Sequence, residues 1–366
     1  MEREFISWLR KRLPPHPLVR LGLGDDAAVL RMAGLDECVI TVDMLTDHVD
    51  FELAEIDPRR VGRKCLAANL SDLAAMAAKP LAGVVALALP RQGDCPNFRT
   101  SENGTVPLRI GERISGGLSQ FSFDENGTVP FGKATVIDSP VLSTKIETGD
   151  RQGAMELAVA LYEGMLPLAE RYDLAIAGGD TNCWDGPLAV SITLLGAVTA
   201  RGPLRRDGAK PGDRILATGS FGGSILGRHL DFEPRVREAL ELHARYELHA
   251  GIDTSDGLSL DLAHILEASG CGAMIDTGAV PLADDASRLA ERLADGSTPL
   301  DHALSDGEDF ELILAVPVEE AKRIVAEQPV AVPIADIGEF VAEPGLWQID
   351  RSGVRRPLLP RGWEHG

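Results

Sequence analysis

Between Asp57 and Pro80 the sequence marks where one long helix begins, where it stops and which element comes next. Asp57 suits a cap for the free amides of a first turn, and Pro58 suits the first helical position, where a missing N–H costs nothing. From there VGRKCLAANLSDLAAM predicts a helix to about Lys79-Pro80, and the apolar run LAGVVALALP at 81–90 predicts a buried strand. That run is too short to span a bilayer, so no membrane is expected as a partner. One residue sits poorly in this helix. Asp72, in NLSDLAAM, has low helix propensity away from the ends. Three readings of it stay open: a solvated face, a break at Asn69 with Ser71 capping a new helix, or a ligand.

The rest of the chain alternates in the same manner. Residues 4–13 predict a short amphipathic helix stopped by two prolines, and short strands are expected at 27–30 and 38–43. A second long helix is expected over 154–172, with Leu157, Leu161, Met165 and Leu168 on one face. DLAIA then predicts a strand entering a turn at GGDTN, and LAVSITLLGAV another apolar strand. The polar, turn-rich stretch RGPLRRDGAKPGD at 201–213 predicts a domain boundary near 200, and 366 residues allow two domains, 1–200 and 201–366, each with a core. Beyond it come RILATG, a helix around 234–249, a helix at 258–268, AMID, a helix at 284–294, FELILAV, a helix at 318–327 and IADIG. The fold class is therefore α/β (α+β) and not all-β.

Residues 92–150 break the pattern. ENGTVP occurs twice, at 102–107 and 125–130, which predicts two related hairpins turning at Asn103-Gly104 and Asn126-Gly127. GTVPFGKA at 127–134 falls one residue short of a phosphate loop because Ala134 stands where Ser or Thr is required. Pro130 inside it, and no helical pattern after it, favour a hairpin.

Asp72 is one of a set of acids beside glycines and at strand ends. Asp25 and Asp26 precede a strand in GDDAAVL, and Asp43 closes the apolar strand VITVDML. Asp180 lies in the turn AGGDTN, and Asp253 and Asp256 flank Ser255 in GIDTSDGL. Each alone is more often a turn or cap residue than a ligand. Together, as hard oxygen donors where backbone can approach closely, they suit several Mg²⁺ ions bridging a polyphosphate. A formal net charge of -20 argues against a nucleic-acid partner, although metal ions or a few arginines can reverse the field locally for a phosphate.

Other chemistries lack their marks. Five cysteines without a CxxC pair suggest neither zinc nor a disulfide framework, and no GxSxG elbow or dinucleotide fingerprint is present. His243 and His249 are expected on a solvated helix face, and His264 as a packed histidine. The N-terminal MEREFISWLRKRLPP lacks an apolar signal core, so the expected compartment is the cytoplasm.

GDDAAVL, the strand ending in DML, NLSDLAAM, GGDT, RRDGAKPGD, IDTSDGL and SDGEDFEL occur in this order, and in that order they closely resemble the thiamine-monophosphate kinase family. That family stands within the larger group containing aminoimidazole ribonucleotide synthetase. The resemblance covers roughly 1–91 and 152–366, so 92–150 looks like an insertion. It implies a two-domain, aminoimidazole ribonucleotide synthetase-like fold: an N-terminal sheet pairing across a homodimer, and a C-terminal α/β domain closing over the nucleotide. It also implies transfer of the γ-phosphoryl of ATP to thiamine monophosphate. Carried over position by position, Asp26, Asp43, Asp72, Asp180 and Asp253 would hold Mg²⁺, with Asp256 on a further ion and oxygen ligands from Thr41 and the Val42 carbonyl. Gly179, Asp180, Arg206 and Ser255 would touch ATP, and Glu308 and Trp363 the thiamine.

From the residues alone Arg206 reads as a domain-boundary arginine, Trp363 as a tail packing on its own domain, and Glu308 as a strand-end acid. The sequence departs from the family where a histidine usually precedes the phenylalanine of the DML segment: DMLTDHVDF has Asp50 there, and His48 two residues earlier. Asp50 would repel a phosphate and suit a cationic thiazolium, and His48 would share its face only if the segment is extended. Two other readings remain, another ATP-dependent synthetase of this group or a non-catalytic nucleotide-binding protein.

Overall fold

The computed structural model describes residues 18–21, 25–32, 35–91, 148–350 and 352–363. The expected helix at 4–13, the two ENGTVP hairpins and the GTVPFGKA loop lie outside them.

The first sheet has six strands in the order β1-β2-β3-β6-β4-β5. These are β1 (Val19–Leu21), β2 (Ala28–Met32), β3 (Leu35–Thr46), β4 (Lys79–Pro90), β5 (Ala175–Trp184) and β6 (Ala189–Ala197). All neighbours are antiparallel except β4 and β5, which are parallel. Two helices cover one face, α1 (Pro58–Ala75) and α2 (Thr148–Arg171). Helix α1 starts as its cap dictates, with the Arg59 N–H donating to Asp57 Oδ1 at 2.9 Å and Pro58 in the first turn. It runs unbroken through Asn69 and Ser71, so no second cap exists at Ser71. It stops at Ala75, four residues short of expectation, because Lys79 already pairs with Ala197 of β6. The helices touch backbone to backbone: a Cβ on Gly164 would stand 1.8 Å from the Arg59 carbonyl oxygen.

Two strands run further than their sequences suggest. β3 continues to Thr46 because β6 pairs with it residue for residue, which leaves Asp43 inside the strand and not at its end. GGDTN is no turn. Those residues stay extended in β5 beside β4, with Gly179 opposite Val85 and Asp180 opposite Ala86. Glycine is what permits this approach, since a Cβ at Gly179 would fall 1.7 Å from the Val85 carbonyl oxygen.

The second sheet has seven strands in the order β13-β12-β9-β11-β7-β10-β8. They are β7 (Arg214–Thr218), β8 (Ala250–Asp253), β9 (Gly272–Asp276), β10 (Leu312–Val316), β11 (Ile334–Val341), β12 (Gly345–Ile349) and β13 (Arg355–Pro357). Helices Arg228–Asp231 (α3), Val236–Arg245 (α4), Leu258–Ser269 (α5), Asp284–Leu293 (α6), Pro299–Ser305 (α7) and Val318–Glu327 (α8) complete this half. Helix α7 was not expected, although Thr298 and Asp301 form a capping box at its start. Helix α4 ends before His249, whose Nδ1 lies 2.8 Å from Asp213. His243 is buried and its Nε2 bonds the Gly202 carbonyl at 3.1 Å, so neither histidine has the solvated helical role expected of it.

The stretch 198–213 joins the two sheets; one apolar cluster, with Ile215, Phe221, Ile252 and Phe340, belongs to the second half alone, and another crosses the join. The crossing cluster includes Val61, Leu66 and Leu70 of α1 together with Leu216, Phe232, Phe310 and Leu312 of the second half. Helix α1 is thus enclosed on nearly all sides, which explains its alanines: small side chains let both halves approach one rod.

Candidate active site

Three carboxylates converge where α1 meets both sheets. Asp26 comes from the loop before β2, Asp72 from the last turn of α1 and Asp253 from the end of β8, and each offers an oxygen within 4.8 Å of the others. Hydroxyls on the neighbouring elements hold them. Thr41 on β3 donates to the Asp72 carboxylate, and Ser71 Oγ donates to Asp253 at 2.5 Å. Asn69 accepts the Asp43 N–H at 3.1 Å, which ties β3 to α1 beside the cluster.

This concentration of anions has an electrostatic cost, visible in the protonation of its members. Burial, then the charges of Asp43, Asp253 and Asp26, hold the Asp72 carboxyl well above the usual carboxylate range. Burial, then Asp26, pushes Asp253 up to about 8. Asp25, at the rim, is raised to about 6 by burial and then by Asp26. A cation answers part of this charge: the Arg206 guanidinium engages both Asp26 oxygens, Nε at 3.0 Å from Oδ2, and the Arg206 N–H donates to Asp25 at 3.2 Å. The donor set is all hard oxygen, more acidic than one guanidinium balances, and it fits a small divalent cation such as Mg²⁺.

The remaining acids and oxygens named from the sequence are distributed unequally. Val42 turns its side chain away from Thr41 and Asp43 to the uncovered face of the sheet, where it is 61% exposed. Asp180 is in register with Ala86, Ser191 and Met44, on that same uncovered face, and its carboxylate accepts the Thr181 N–H at 2.9 Å. Asp180 therefore lies on the opposite face from the Asp26, Asp72 and Asp253 cluster. Gly179 shares a cross-strand row with Val85, Ile192 and Asp43 on the helix-covered face, but in β5, with β6 and β4 between it and β3. Asp256 belongs to a second group with Asp261 and His264, in which the Asp261 carboxylate takes the N–H groups of Asp256 and Gly257 at 3.1 and 2.9 Å.

A second centre forms next to Ser255. Its carbonyl accepts the Glu308 N–H at 2.7 Å, and the Asp256 carbonyl accepts the Trp363 N–H at 2.9 Å. Ser255, Asp256, Glu308 and Trp363 thus meet through backbone bonds. The loop SDGEDFEL is held in an unusual path, with left-handed φ at Gly307 (75°), Glu308 (52°) and Phe310 (51°). Its other acids are spent inside the fold. Asp306 takes the Gly223 N–H, Asp309 takes the Gly222 N–H and Arg228, and Glu311 takes Thr218 and Arg235. Glu308 reaches the other half of the molecule, where Lys64 Nζ lies 2.5 Å from its Oε1.

Lys64 is not among the residues the sequence marks, because lysine is a good helix former and here follows Arg63. Its Nζ also donates to the Asp50 carbonyl at 2.6 Å. The Asp50 carboxylate is turned to its own loop, accepting the Thr46 N–H at 2.7 Å. Residues 47–51 form a tight turn with His48 at φ 71°, not an extended segment, so His48 does not share a strand face with Asp50. No helix among the described residues is long and apolar enough to cross a membrane.

Comparisons with known proteins agree with this architecture. The N-terminal domain of AIR synthase related protein matches residues 24–118, and its C-terminal domain matches 210–347. A thiamine-monophosphate kinase of Rhodopirellula baltica is 37% identical over 373 residues, covering 100% of this chain and 98% of that protein. The enzyme of the same name from Salmonella typhimurium is 31% identical, covering 95% and 92%. Among solved structures, thiamine-monophosphate kinase from Stenotrophomonas maltophilia is 27% identical with a TM-score of 0.61, over 94% of this chain and 95% of that one. A ThiL complexed with AMPPCP and TMP shares the fold at a TM-score of 0.70 and 22% identity, over 100% and 97%.

Proposed function

Because the chain belongs to the AIR synthase related family, as a relative of the thiamine-monophosphate kinases, we propose that it transfers the γ-phosphoryl of ATP to thiamine monophosphate, giving thiamine diphosphate and ADP. The observation that carries the reading is the meeting of Asp26, Asp72 and Asp253 close in sequence to the Ser255, Glu308 and Trp363 centre, since Asp253 and Ser255 flank Thr254.

The acceptor oxygen already belongs to an anionic phosphate, so no strong base is needed. The obstacle is bringing two polyanions together in line. Bound Mg²⁺ would neutralise charge on the transferring phosphates. Asp26, Asp72 and Asp253 would hold the ions, with Asp43 and Thr41 alongside and Asp256 at the further group with Asp261. Arg206, once turned from Asp26, is placed to clamp a phosphate in bidentate fashion. Glu308 would face the cationic thiazolium, and Trp363, 54% exposed, offers a ring for it to stack on. Asp180 would touch nucleotide only from the uncovered sheet face, and Gly179 through its backbone in β5.

That face supports a homodimer. Val42 and Val84 form one cross-strand row with Thr193, and Met44 lies in the next; with Trp184 they are 61%, 46%, 67% and 43% exposed. Among the described residues β5 leaves an open edge beside them, and a second copy of the chain would cover both.

The direct test is thiamine diphosphate formation from ATP, Mg²⁺ and thiamine monophosphate, followed by chromatography. No product at high enzyme concentration sinks the substrate assignment, and ATP binding without acceptor-dependent turnover would point to the non-catalytic alternative.

A further inference from the structure

The Lys64 side chain is entirely shut away from water, at 0% exposure. A buried ammonium needs close oxygen partners, and the two that Lys64 has among the described residues belong to segments outside its own helix. One is the Asp50 carbonyl, 2.6 Å away in the turn that comes after β3; the other is Glu308, 2.5 Å away in the loop before β10. They approach from opposite halves of the molecule, so one nitrogen spans the join between them. Glu308 is itself constrained on the other side, its N–H bound to Ser255 and its backbone left-handed at φ 52°. With 31% of its side chain exposed, Glu308 is open to a ligand while Lys64 behind it is not. A single lysine nitrogen on Oε1 does not exhaust a carboxylate, which accepts at Oε2 as well.

We propose that Lys64 is a positioning residue for the acceptor substrate: from behind, it holds Glu308 and the 47–51 turn in mutual register, and so governs the binding of thiamine monophosphate and not that of ATP. This rests on the acceptor reading of Glu308 given above. A buried ion pair is a weak contributor to stability compared with apolar side chains of the same volume, and geometric register is the use that fits this one.

The test compares KM for each substrate in the wild type, Lys64→Met, Glu308→Gln and the double variant. Lys64→Met is expected to raise KM for thiamine monophosphate about tenfold or more while KM for ATP stays within about twofold. If Lys64 acts through Glu308, the double variant is no worse than Glu308→Gln alone. Multiplying effects in the double variant, an unchanged KM for thiamine monophosphate in Lys64→Met, or an equal rise for ATP would each overturn the proposal. Should Lys64→Met fail to fold, the double variant, which leaves no buried charge unpaired, decides by the same comparison with Glu308→Gln. A wild type without thiamine-monophosphate-dependent turnover removes the acceptor reading and this inference with it, whereas a working wild type with an indifferent Lys64 removes the inference alone.

Discussion

Arg206 holds Asp26 across the join between the two sheets, its Nε 3.0 Å from Oδ2 and its other nitrogen on Oδ1. The family resemblance implies different partners for these residues, ATP for the arginine and Mg²⁺ for the aspartate. In the folded chain they bind each other. The guanidinium supplies positive charge to a cluster whose carboxylates repel one another, and under the proposed function the pair would part for nucleotide and its ion to bind.

Arg206→Met is therefore expected to act in opposite directions on two ligands. Freed from its competitor, the cluster should bind Mg²⁺ alone several-fold more tightly, while KM for ATP rises about tenfold or more. Calorimetric titration with Mg²⁺ and steady-state kinetics read the two separately. Weaker Mg²⁺ binding in the variant would show that Arg206 organises Asp26 instead of competing for it.

Asp72→Asn should leave the fold intact and reduce transfer by roughly a hundredfold or more, the scale of losing one charge-stabilising group at a phosphoryl-transfer site. Since burial and three neighbouring acids already disfavour the Asp72 charge, the metal-free variant should melt no lower than the wild type. Lower melting with normal turnover would return Asp72 to a structural role.

The raised carboxyls set a pH dependence with a definite sign. Asp253 at about 8 and Asp25 at about 6 keep protons in the native state that the unfolded chain sheds near 3.8. The native state binds more protons across that window, so stability of metal-free protein falls as pH rises from about 4 toward 8. Affinity for Mg²⁺ climbs over the upper part of the same range, because the ion needs the carboxylates ionised. Melting of chelated protein and Mg²⁺ titration at pH 6 and 8.5 measure both, and Asp253→Asn should flatten each slope. Metal-free stability that rises with pH through this window, with a slope Asp253→Asn leaves unchanged, would be the contrary result.

Met44→Glu places a charge in the uncovered apolar face of the first sheet. If a second copy covers that face, the variant should sediment as a monomer at micromolar concentrations where the wild type is a dimer, with secondary structure unchanged by circular dichroism. A wild type that is already monomeric would refute the dimer outright.

Much of the architecture was legible because its causes are local. Asp57 and Pro58 start a helix by capping and ring geometry, and apolar periodicity within a few residues distinguishes α2 or α8 from β6 or β10. Asp72 stands out for the same reason, as a carboxylate within a helix, while Asp26 and Asp253 stand out only as part of a set of acids beside glycines and at strand ends. What the chain alone left undecided depends on residues far apart in sequence. GGDTN reads as a turn until β4 is beside it, and only that parallel neighbour makes the segment a strand and turns Asp180 to the uncovered face. Asp43 reads as a strand end until β6 extends the ladder past it. Lys64 carries no signal of its role, since its partners are 14 residues before it and 244 residues after it. The sequence determines which residues are chemically out of place; the tertiary structure decides which of them meet, because ion pairs and carboxylate clusters depend on distances that only long-range packing sets.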